Sequence, residues 1–203
     1  MTVRDILHIG HPALRERARP LAPTEVGGAV TQRLIDDLVD TMRAADGAGL
    51  AATQVGEAVQ VCVAEVRPGN PRYPYKPAIP LTVLVNPVVE ALTAETFPVY
   101  EGCLSVPGLR GVVERAVEVR LRALDRHGGP LDFVVRGLSA GTFQHETDHL
   151  QGRLFVDRVA DTRTLCTWDE FRRRHEAAFA ERARALVARF GSGSPPEPHS
   201  AEE

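Results

Sequence analysis

The residues best suited to chemistry in this 203-residue chain form the run Gln144-His145-Glu146-Thr147-Asp148-His149. On an α-helix, residues four apart lie about 40° from each other around the axis. His145 and His149 would therefore direct two imidazoles at one divalent metal, and Glu146 could reach a water molecule at that metal. The spacing predicts metal-assisted hydrolysis, although a helix can carry this pattern by chance and a third ligand is needed.

Cys103, which lies between Gly102 and Leu104, is a candidate for that third ligand. From its neighbours alone it is equally a structural thiol, a nucleophile or a metal ligand. Two imidazoles and one thiolate would leave a fourth position for water, as catalytic zinc sites do. Glu146 would take the proton of that water as the hydroxide attacks a carbonyl. A backbone N–H beside Cys103 and the amide of Gln54 are candidate donors to the developing oxyanion.

Gln54 belongs to a stretch of small residues, Gly47-Ala48-Gly49-Leu50-Ala51-Ala52-Thr53-Gln54-Val55-Gly56. A backbone with so few large side chains can approach a ligand closely. A phosphate-binding loop is only weakly supported, because the stretch has neither a Lys-Ser/Thr ending nor the Gly-x-Gly-x-x-Gly pattern. Gln54 is the best polar group of this stretch for contacting a ligand.

The elements that must position these residues indicate an α+β fold. A first helix is predicted from near Thr24 or Thr31 to about Asp46, with an apolar stripe of Val30, Leu34, Ile35, Leu38, Val39 and Met42. Alternating strands follow at 59–63 and 81–85, the second ending at Asn86-Pro87, with a long loop over 68–80 between them. Strands at 116–123 and 131–135 form a hairpin.

The metal-binding helix should start near Gly137-Leu138-Ser139, with Ser139 as its N-cap, and end at Gly152. A further helix is predicted over about 167–190 and carries a surplus of arginine. Residues 1–190 form one catalytic domain at this length, and the Gly-, Ser- and Pro-rich residues 191–203 are predicted to be a disordered tail. The expected architecture is antiparallel or mixed sheets around a central metal-binding helix, with an N-terminal and a C-terminal helix.

Bulk properties exclude several classes of protein. A formal net charge of −3 gives no general reason to expect nucleic-acid binding. No apolar run is long enough to cross a bilayer, and the first residues lack the charged-then-apolar order of a signal peptide. Three cysteines, Cys62, Cys103 and Cys166, cannot all pair, which favours a reducing cytosol.

Three segments resemble, in order, the three signature motifs of the peptide deformylase family. They are Gly47-Ala48-Gly49-Leu50-Ala51-Ala52-Thr53-Gln54, Glu101-Gly102-Cys103-Leu104-Ser105 and the run at 144–149. The flanks at 6–20, 86–87 and 154–158 are similar too, so the resemblance covers roughly residues 4–175. Three motifs in order are far more specific than His-Glu-x-x-His alone.

The resemblance implies removal of the N-formyl group from the first methionine of new bacterial proteins, with release of formate. It makes Cys103, His145 and His149 the metal ligands and Glu146 the general acid and base. Gln54 and the backbone N–H of Leu104 would hold the formyl oxygen, and the backbone of Gly49 would pair with the peptide like a strand. The methionine pocket would be lined by Ala48, Leu138, Gly141 and Thr142. Gly141-Thr142 stands where the family more often has bulkier residues, so a roomier pocket is expected.

The resemblance also implies one divalent metal ion, Fe(II) in the native enzyme, with Zn, Ni or Co as alternatives. N-formylmethionyl nascent peptides are the implied substrates of a monomeric, cytoplasmic bacterial enzyme without a membrane segment. The arginines of the C-terminal helix permit transient ribosome contact, or they simply form the solvated face of an amphipathic helix.

Two alternatives start from the same residues. A conventional zinc endopeptidase would share the His-Glu-x-x-His helix, but such sites usually take their third ligand from a downstream His or Glu. An electron-transfer copper protein would also use two His and one Cys, with a weak axial Met. The chain has only Met1 and Met42 to offer, and a copper site gives Glu146 no role.

Overall fold

The structure, a computed structural model, describes residues 2–70, 74–193 and 195. Two helices precede the first strand: α1 (Pro23–Val26) and α2 (Ala29–Ala44). The strands are β1 (Gly49–Ala51), β2 (Val61–Val66), β3 (Ile79–Ala91), β4 (Thr96–Cys103), β5 (Val106–Ala116), β6 (Glu118–Leu124), β7 (Pro130–Arg136) and β8 (Cys166–Thr167). Helix α3 (Gly137–His149) follows β7, and α4 (Trp168–Arg174) and α5 (Glu176–Phe190) follow β8. Short 3-10 turns cover Pro12–Arg15, Ala52–Val55, Phe155–Arg158 and Thr162–Thr164.

The strands form two antiparallel sheets on which α3 packs. The larger sheet has the order β1-β2-β3-β6-β7, and the smaller has the order β4-β5-β8. Helix α3 contacts strands of both sheets and also α5. The predicted α+β class, with antiparallel sheets around a central His-Glu-x-x-His helix, is confirmed.

Strands β1 and β2, together with residues 82–85 of β3, are buried on both faces, which separates the core into two layers. On one face, Val61 and Val63 of β2 pack with α2. On the other, Cys62 and Ala64 join the cluster that contains α3 and the smaller sheet. Cys62 is fully buried although it shares the parity of the polar Gln60, so it is a core thiol.

The helix predictions need three corrections. Helix α2 begins at Ala29, and Val30 is 75% exposed, so the buried stripe starts one turn later than predicted. Ser139 does not cap α3, because the helix already begins at Gly137 and Ser139 is buried within its first turn. The C-terminal helix is two helices, since the backbone leaves helical geometry at His175 (φ −121°). The predicted helix end at Gly152 is confirmed, with φ +71° and an N–H donated to the His149 carbonyl.

The strand predictions were correct in position but not in extent. Strand β3 does not end at Asn86-Pro87; a bulge there, with Asn86 at φ +52°, lets it continue to Ala91. The hairpin of β6 and β7 is confirmed, with Leu121 opposite Phe133. Strand β5 was missed because Pro107-Gly108 looks like a turn; it instead begins a long antiparallel pairing with β4.

The predicted tail at 191–203 falls largely outside the described residues, and so does part of the loop predicted at 68–80. Of the tail, residues 191–193 run beside β7, where the Arg136 N–H donates to the Ser192 carbonyl at 2.8 Å. Within the described ranges, no helix combines the length and the apolarity that crossing a bilayer requires.

Candidate active site

Three side chains predicted as ligands converge at the C-terminal half of α3. The Cys103 Sγ and His149 Nε2 atoms are 3.3 Å apart, and the Nε2 atoms of His145 and His149 are also 3.3 Å apart. Metal–nitrogen bonds of about 2.0–2.1 Å directed to the corners of a tetrahedron would place two nitrogens about 3.3 Å apart. The residues present therefore fit a tetrahedral ion with one position left over.

The sheet and the helix each supply part of this group. Helical spacing stacks His145 and His149 one turn apart, and β4 ends at Cys103, which is 3% exposed. Burial, followed by the neighbouring His145, holds the pKa of His149 well below its usual range, so its imidazole stays neutral. A neutral imidazole is the form that binds a metal.

A buried ionic network behind His145 was not predicted. The Nδ1 of His145 lies 2.8 Å from Oε2 of Glu101, and Glu101 accepts two hydrogen bonds from Arg115, at 2.7 and 2.9 Å. Arg115 also donates to Asp148 at 2.6 Å. Burial opposes ionisation of Glu101, yet Arg115 and His145 keep its pKa well below the usual range. The ionised Glu101 therefore fixes the ring of His145 and strengthens it as a ligand.

Glu146 lies next to the ligands and is 4% exposed. Burial raises the pKa of Glu146 to about 7. Among the described residues, its Oε2 has no hydrogen-bond partner. The backbone of Gly49 passes so close that a Cβ there would lie 2.3 Å from Oε1 of Glu146. A buried carboxyl group with this pKa is suited to accept and return a proton near neutral pH.

The small-residue stretch forms β1 and a 3-10 turn that holds Gln54 inside the site. The Oε1 of Gln54 accepts the Ala51 N–H at 2.9 Å, which orients its amide. The Nε2 donates to Ser105 Oγ at 3.0 Å and lies 3.5 Å from Cys103 Sγ. The N-terminal arm supports this turn, because the Leu7 N–H donates to the Gln54 carbonyl at 2.8 Å.

A cavity opens beside these groups and contains the predicted pocket residues. Its lining includes Gly49, Gln54, Leu104, Ala48, Leu138, Gly141 and Thr142, together with Cys103, His145 and Glu146. The structure thus brings every predicted site residue to one place, with His149 joined through the ligand group. Lys76, Val99 and Arg110 also line the cavity and were missed. Lys76 could have been noticed in the sequence because it is the single lysine of the chain.

Fold and site together define a hydrolase built around one buried Cys-His-His group. The polypeptide deformylase family model matches residues 3–164, and the chain therefore belongs to that family. A peptide deformylase of Leptospira biflexa is 40% identical over 163 residues, which are 80% of this chain and 91% of the relative. Peptide deformylase 2 of Ralstonia nicotianae is 45% identical over 159 residues, 78% of this chain and 88% of the relative.

Solved structures agree with this assignment. The crystal structure of a class I type b peptide deformylase from Acinetobacter baumannii, with Met-Ala-Ser bound, is 37% identical with a TM-score of 0.74. That match covers 78% of this chain and 99% of the other. A peptide deformylase from Thermotoga maritima is 30% identical with a TM-score of 0.69, covering 79% of this chain and 100% of the other.

Family membership establishes the activity. The family is metal-dependent and removes the N-formyl group from the N-terminal methionine of newly made proteins, and this chain is an enzyme of that kind. The family assignment replaces the two alternatives, a zinc endopeptidase and an electron-transfer copper protein. Helices α4 and α5 lie beyond residue 164 and so outside the family match.

Proposed function

We propose that Cys103, His145 and His149 hold the catalytic metal ion and that Glu146 is the general acid and base. The observation that carries this proposal is the convergence of the three donor atoms, all within 4.8 Å of one another, beside the buried Glu146. When bound, the ion supplies Lewis-acid catalysis and makes a water molecule acidic enough to ionise near neutral pH. Glu146 takes the proton of that water and later donates it to the leaving amine.

The formyl oxygen gains negative charge as its carbon becomes tetrahedral, and the chain offers two donors for it. The Nε2 of Gln54 lies within the site and is oriented by the bond between Oε1 and Ala51. The Leu104 backbone N–H follows Cys103 at the end of β4. Donors held in place before the reaction stabilise such charge without reorganising. We therefore assign both groups to the formyl oxygen.

The peptide would lie along the edge of β1. Gly49 pairs with Ala64 of β2 along one edge of β1, and we propose that the backbone of its other edge pairs with an extended peptide. Ala48, Leu138, Gly141 and Thr142 line the cavity at this edge, and we propose that they receive the methionine side chain. N-formylmethionyl nascent peptides are the proposed substrates.

Fe(II) is the proposed native ion, with Zn, Ni or Co able to replace it, since a thiolate and two imidazoles suit all four. We also propose a monomer of one domain over residues 1–190 that acts in the bacterial cytoplasm, where a reducing environment protects Cys103 from oxidation. The exposed arginines of α5, such as Arg182 and Arg184, support transient contact with the ribosome. Cosedimentation with ribosomes that weakens as salt rises would test this contact.

Formate release from formyl-Met-Ala-Ser by the anaerobically purified, Fe(II)- or Ni(II)-loaded protein tests the catalytic proposal. Glu146→Gln should retain the metal and lose about 10²–10⁴-fold in kcat, because the shape is kept and the base is removed. Absence of turnover by the metal-loaded wild-type enzyme would contradict the proposal.

Cys103→Ala should lose the metal, as measured by elemental analysis after dialysis. Cys62→Ala is its matched control, because it removes another buried thiol that belongs to the core and not to the ligand group. Equal metal loss in the two variants would show that Cys103 acts through folding and not as a ligand.

A further inference from the structure

Arg158 reaches the buried ionic network of Glu101 and Arg115 from the surface of the protein. Its Nη2 and Nε atoms donate to the two carboxylate oxygens of Asp148, each at 2.5 Å. Arg115 donates to the same carboxylate at 2.6 Å, so two guanidinium groups share Asp148. The Arg158 side chain is 37% exposed, whereas the side chains of Asp148 and Arg115 are 9% and 2% exposed. Arg158 is therefore the most exposed member of this network.

A continuous chain of contacts leads from Arg158 to a proposed metal ligand. After Asp148 and Arg115 the chain passes to Glu101, which accepts two hydrogen bonds from Arg115 at 2.7 and 2.9 Å. Glu101 in turn contacts Nδ1 of His145 at 2.8 Å. An ionised carboxylate only accepts hydrogen bonds, so Nδ1 carries the proton and Nε2 keeps its lone pair for the metal.

The formal charges of the four charged groups balance when Arg158 is included. Asp148 and Glu101 carry two negative charges, and Arg115 and Arg158 carry two positive charges. Without Arg158, the guanidinium group of Arg115 alone would serve two buried carboxylates. Removing one partner of a buried pair leaves a charge uncompensated. Arg115 would then be drawn towards Asp148 and would hold Glu101 less firmly.

The turn that carries Arg158 is anchored in the core. Arg158 is the last residue of the 3-10 turn Phe155–Arg158, and Phe155 is buried. At the start of this turn, the carboxylate of Asp157 accepts the Leu154 N–H at 2.8 Å. Two parallel bonds from a fixed turn also fix the plane of the carboxylate that accepts them. Arg158 can therefore orient Asp148.

The pair of Arg158 and Asp148 lies away from the substrate. Both residues line a groove that also includes Gln144 and Thr147 of α3. Among the described residues, none lines both this groove and the active-site cavity. An effect of Arg158 on the active site therefore passes through the network and not through contact with the peptide.

We propose that Arg158 is a positioning residue that acts through the buried ionic network on the metal ligand His145. This inference rests on the proposed role of His145 in holding the metal. The network orients this imidazole in particular, because Nδ1 of His149 has no hydrogen-bond partner within the described ranges. Hydrogen-bond partners behind a ligand fix its ring and raise its affinity for the metal.

Measurement of metal affinity tests this role. Arg158→Gln should lower the affinity for Co(II) about tenfold, the lower end of the effect expected for a group behind a ligand, because it acts through other residues. The affinity for Met-Ala-Ser should not change, since Arg158 lines a separate groove. Arg158→Lys should recover only part of the loss, because an ammonium group lacks the two parallel donors of a guanidinium group.

Arg163→Gln is the matched control. Arg163 also donates to both oxygens of one aspartate, Asp161, but its side chain is 89% exposed and the pair lies outside the network. An unchanged Co(II) affinity in Arg158→Gln, or an equal fall in Arg163→Gln, would overturn the proposal. Wild-type affinity in Arg158→Lys would also overturn it, since charge without orientation would then be enough.

A double-mutant cycle decides whether Arg158 acts through Glu101. In a Glu101→Ala background, Arg158→Gln should alter the Co(II) affinity less than about twofold, because the link to His145 is already broken. Losses that simply add would show that Arg158 acts by another route, and the proposal would be wrong.

Two spectroscopic measurements separate positioning from a general loss of stability. The visible absorption of bound Co(II) reports ligand geometry, and it should change in Arg158→Gln and not in Arg163→Gln. In the metal-free protein with ¹⁵N-labelled histidine, the Nδ1 proton of His145 should exchange with water faster in Arg158→Gln, because Glu101 holds it less firmly. Wild-type behaviour in both measurements would refute the proposal. If the wild-type protein bound no Co(II), the proposed ligand set would fail, and the exchange rate of the Nδ1 proton would still decide the role of Arg158.

Discussion

Replacing Gly49 with alanine should displace the catalytic carboxylate while leaving the metal in place. The new Cβ would lie 2.3 Å from Oε1 of Glu146, 2.4 Å from its Cδ and 2.7 Å from its Cγ. Pairing with Ala64 across β1 and β2 fixes the backbone of Gly49, so the side chain of Glu146 has to move. Ordinary contacts of a Cβ begin at 3.4 Å, so the carboxylate must retreat by about 1 Å.

A misplacement of about 1 Å in a catalytic group can cost about 10²-fold in rate. We therefore expect kcat on formyl-Met-Ala-Ser to fall about 100-fold in Gly49→Ala. The KM should change much less, because the peptide is expected to pair with backbone atoms of Gly49 that the substitution retains. Metal content should remain that of the wild-type enzyme, since the crowded atoms belong to Glu146 and to none of the three ligands.

Gly27→Ala is the control for a glycine replaced without crowding. Gly27 ends α1 with φ −79°, and a Cβ built there meets nothing within 4 Å. The test is to measure the rate of formate release and the metal content of both variants. Wild-type kcat in a metal-loaded Gly49→Ala enzyme would refute the reasoning, and so would a loss of activity that follows loss of the metal.

Two further predictions concern the buried ionic network and the buried aromatic ring of Phe179. Glu101→Ala should weaken metal binding about 10–100-fold and destabilise the fold by about 3–5 kcal/mol, because the buried Arg115 loses both hydrogen bonds to Glu101 and keeps only Asp148 as a partner. Asp132→Ala, which breaks an exposed ion pair, should change neither quantity appreciably in metal competition and urea unfolding. Phe179→Ala should lower the free energy of unfolding by about 3–5 kcal/mol, as measured by urea unfolding, because the ring is buried. The control is truncation of the exposed Val30, which should lower it by less than about 0.5 kcal/mol. Similar losses of stability in both variants would contradict the burial argument.

The local sequence pattern was sufficient to predict the residues that we assign to catalysis. It was not sufficient to predict the buried residues that surround them. The i, i+4 spacing of His145 and His149 encodes their convergence, and motif order brought in Cys103 and Gln54. Glu101 stood in a quoted motif without a role, because its partner Arg115 is 14 residues away on another strand. A single sequence does not show that two charged residues such as Glu101 and Arg115 will pair in the core. Strand β5 escaped prediction for a related reason, since the pairing that stabilises it is tertiary and Pro107-Gly108 opposes it locally.

The separation of the proposed metal ligands along the chain also determines when the metal site can form. Cys103 and His149 are 46 residues apart, and the backbone is synthesised from the N-terminus at about 5–20 residues per second. The thiol therefore emerges roughly 2–10 s before the second imidazole. During that interval the cysteine is a lone thiol on an incomplete sheet, able to meet oxidants and unable to hold an ion by three ligands. Metal acquisition is consequently a late event in the life of each new molecule, and protection of the Cys103 thiol from oxidants matters most before synthesis of the chain is complete.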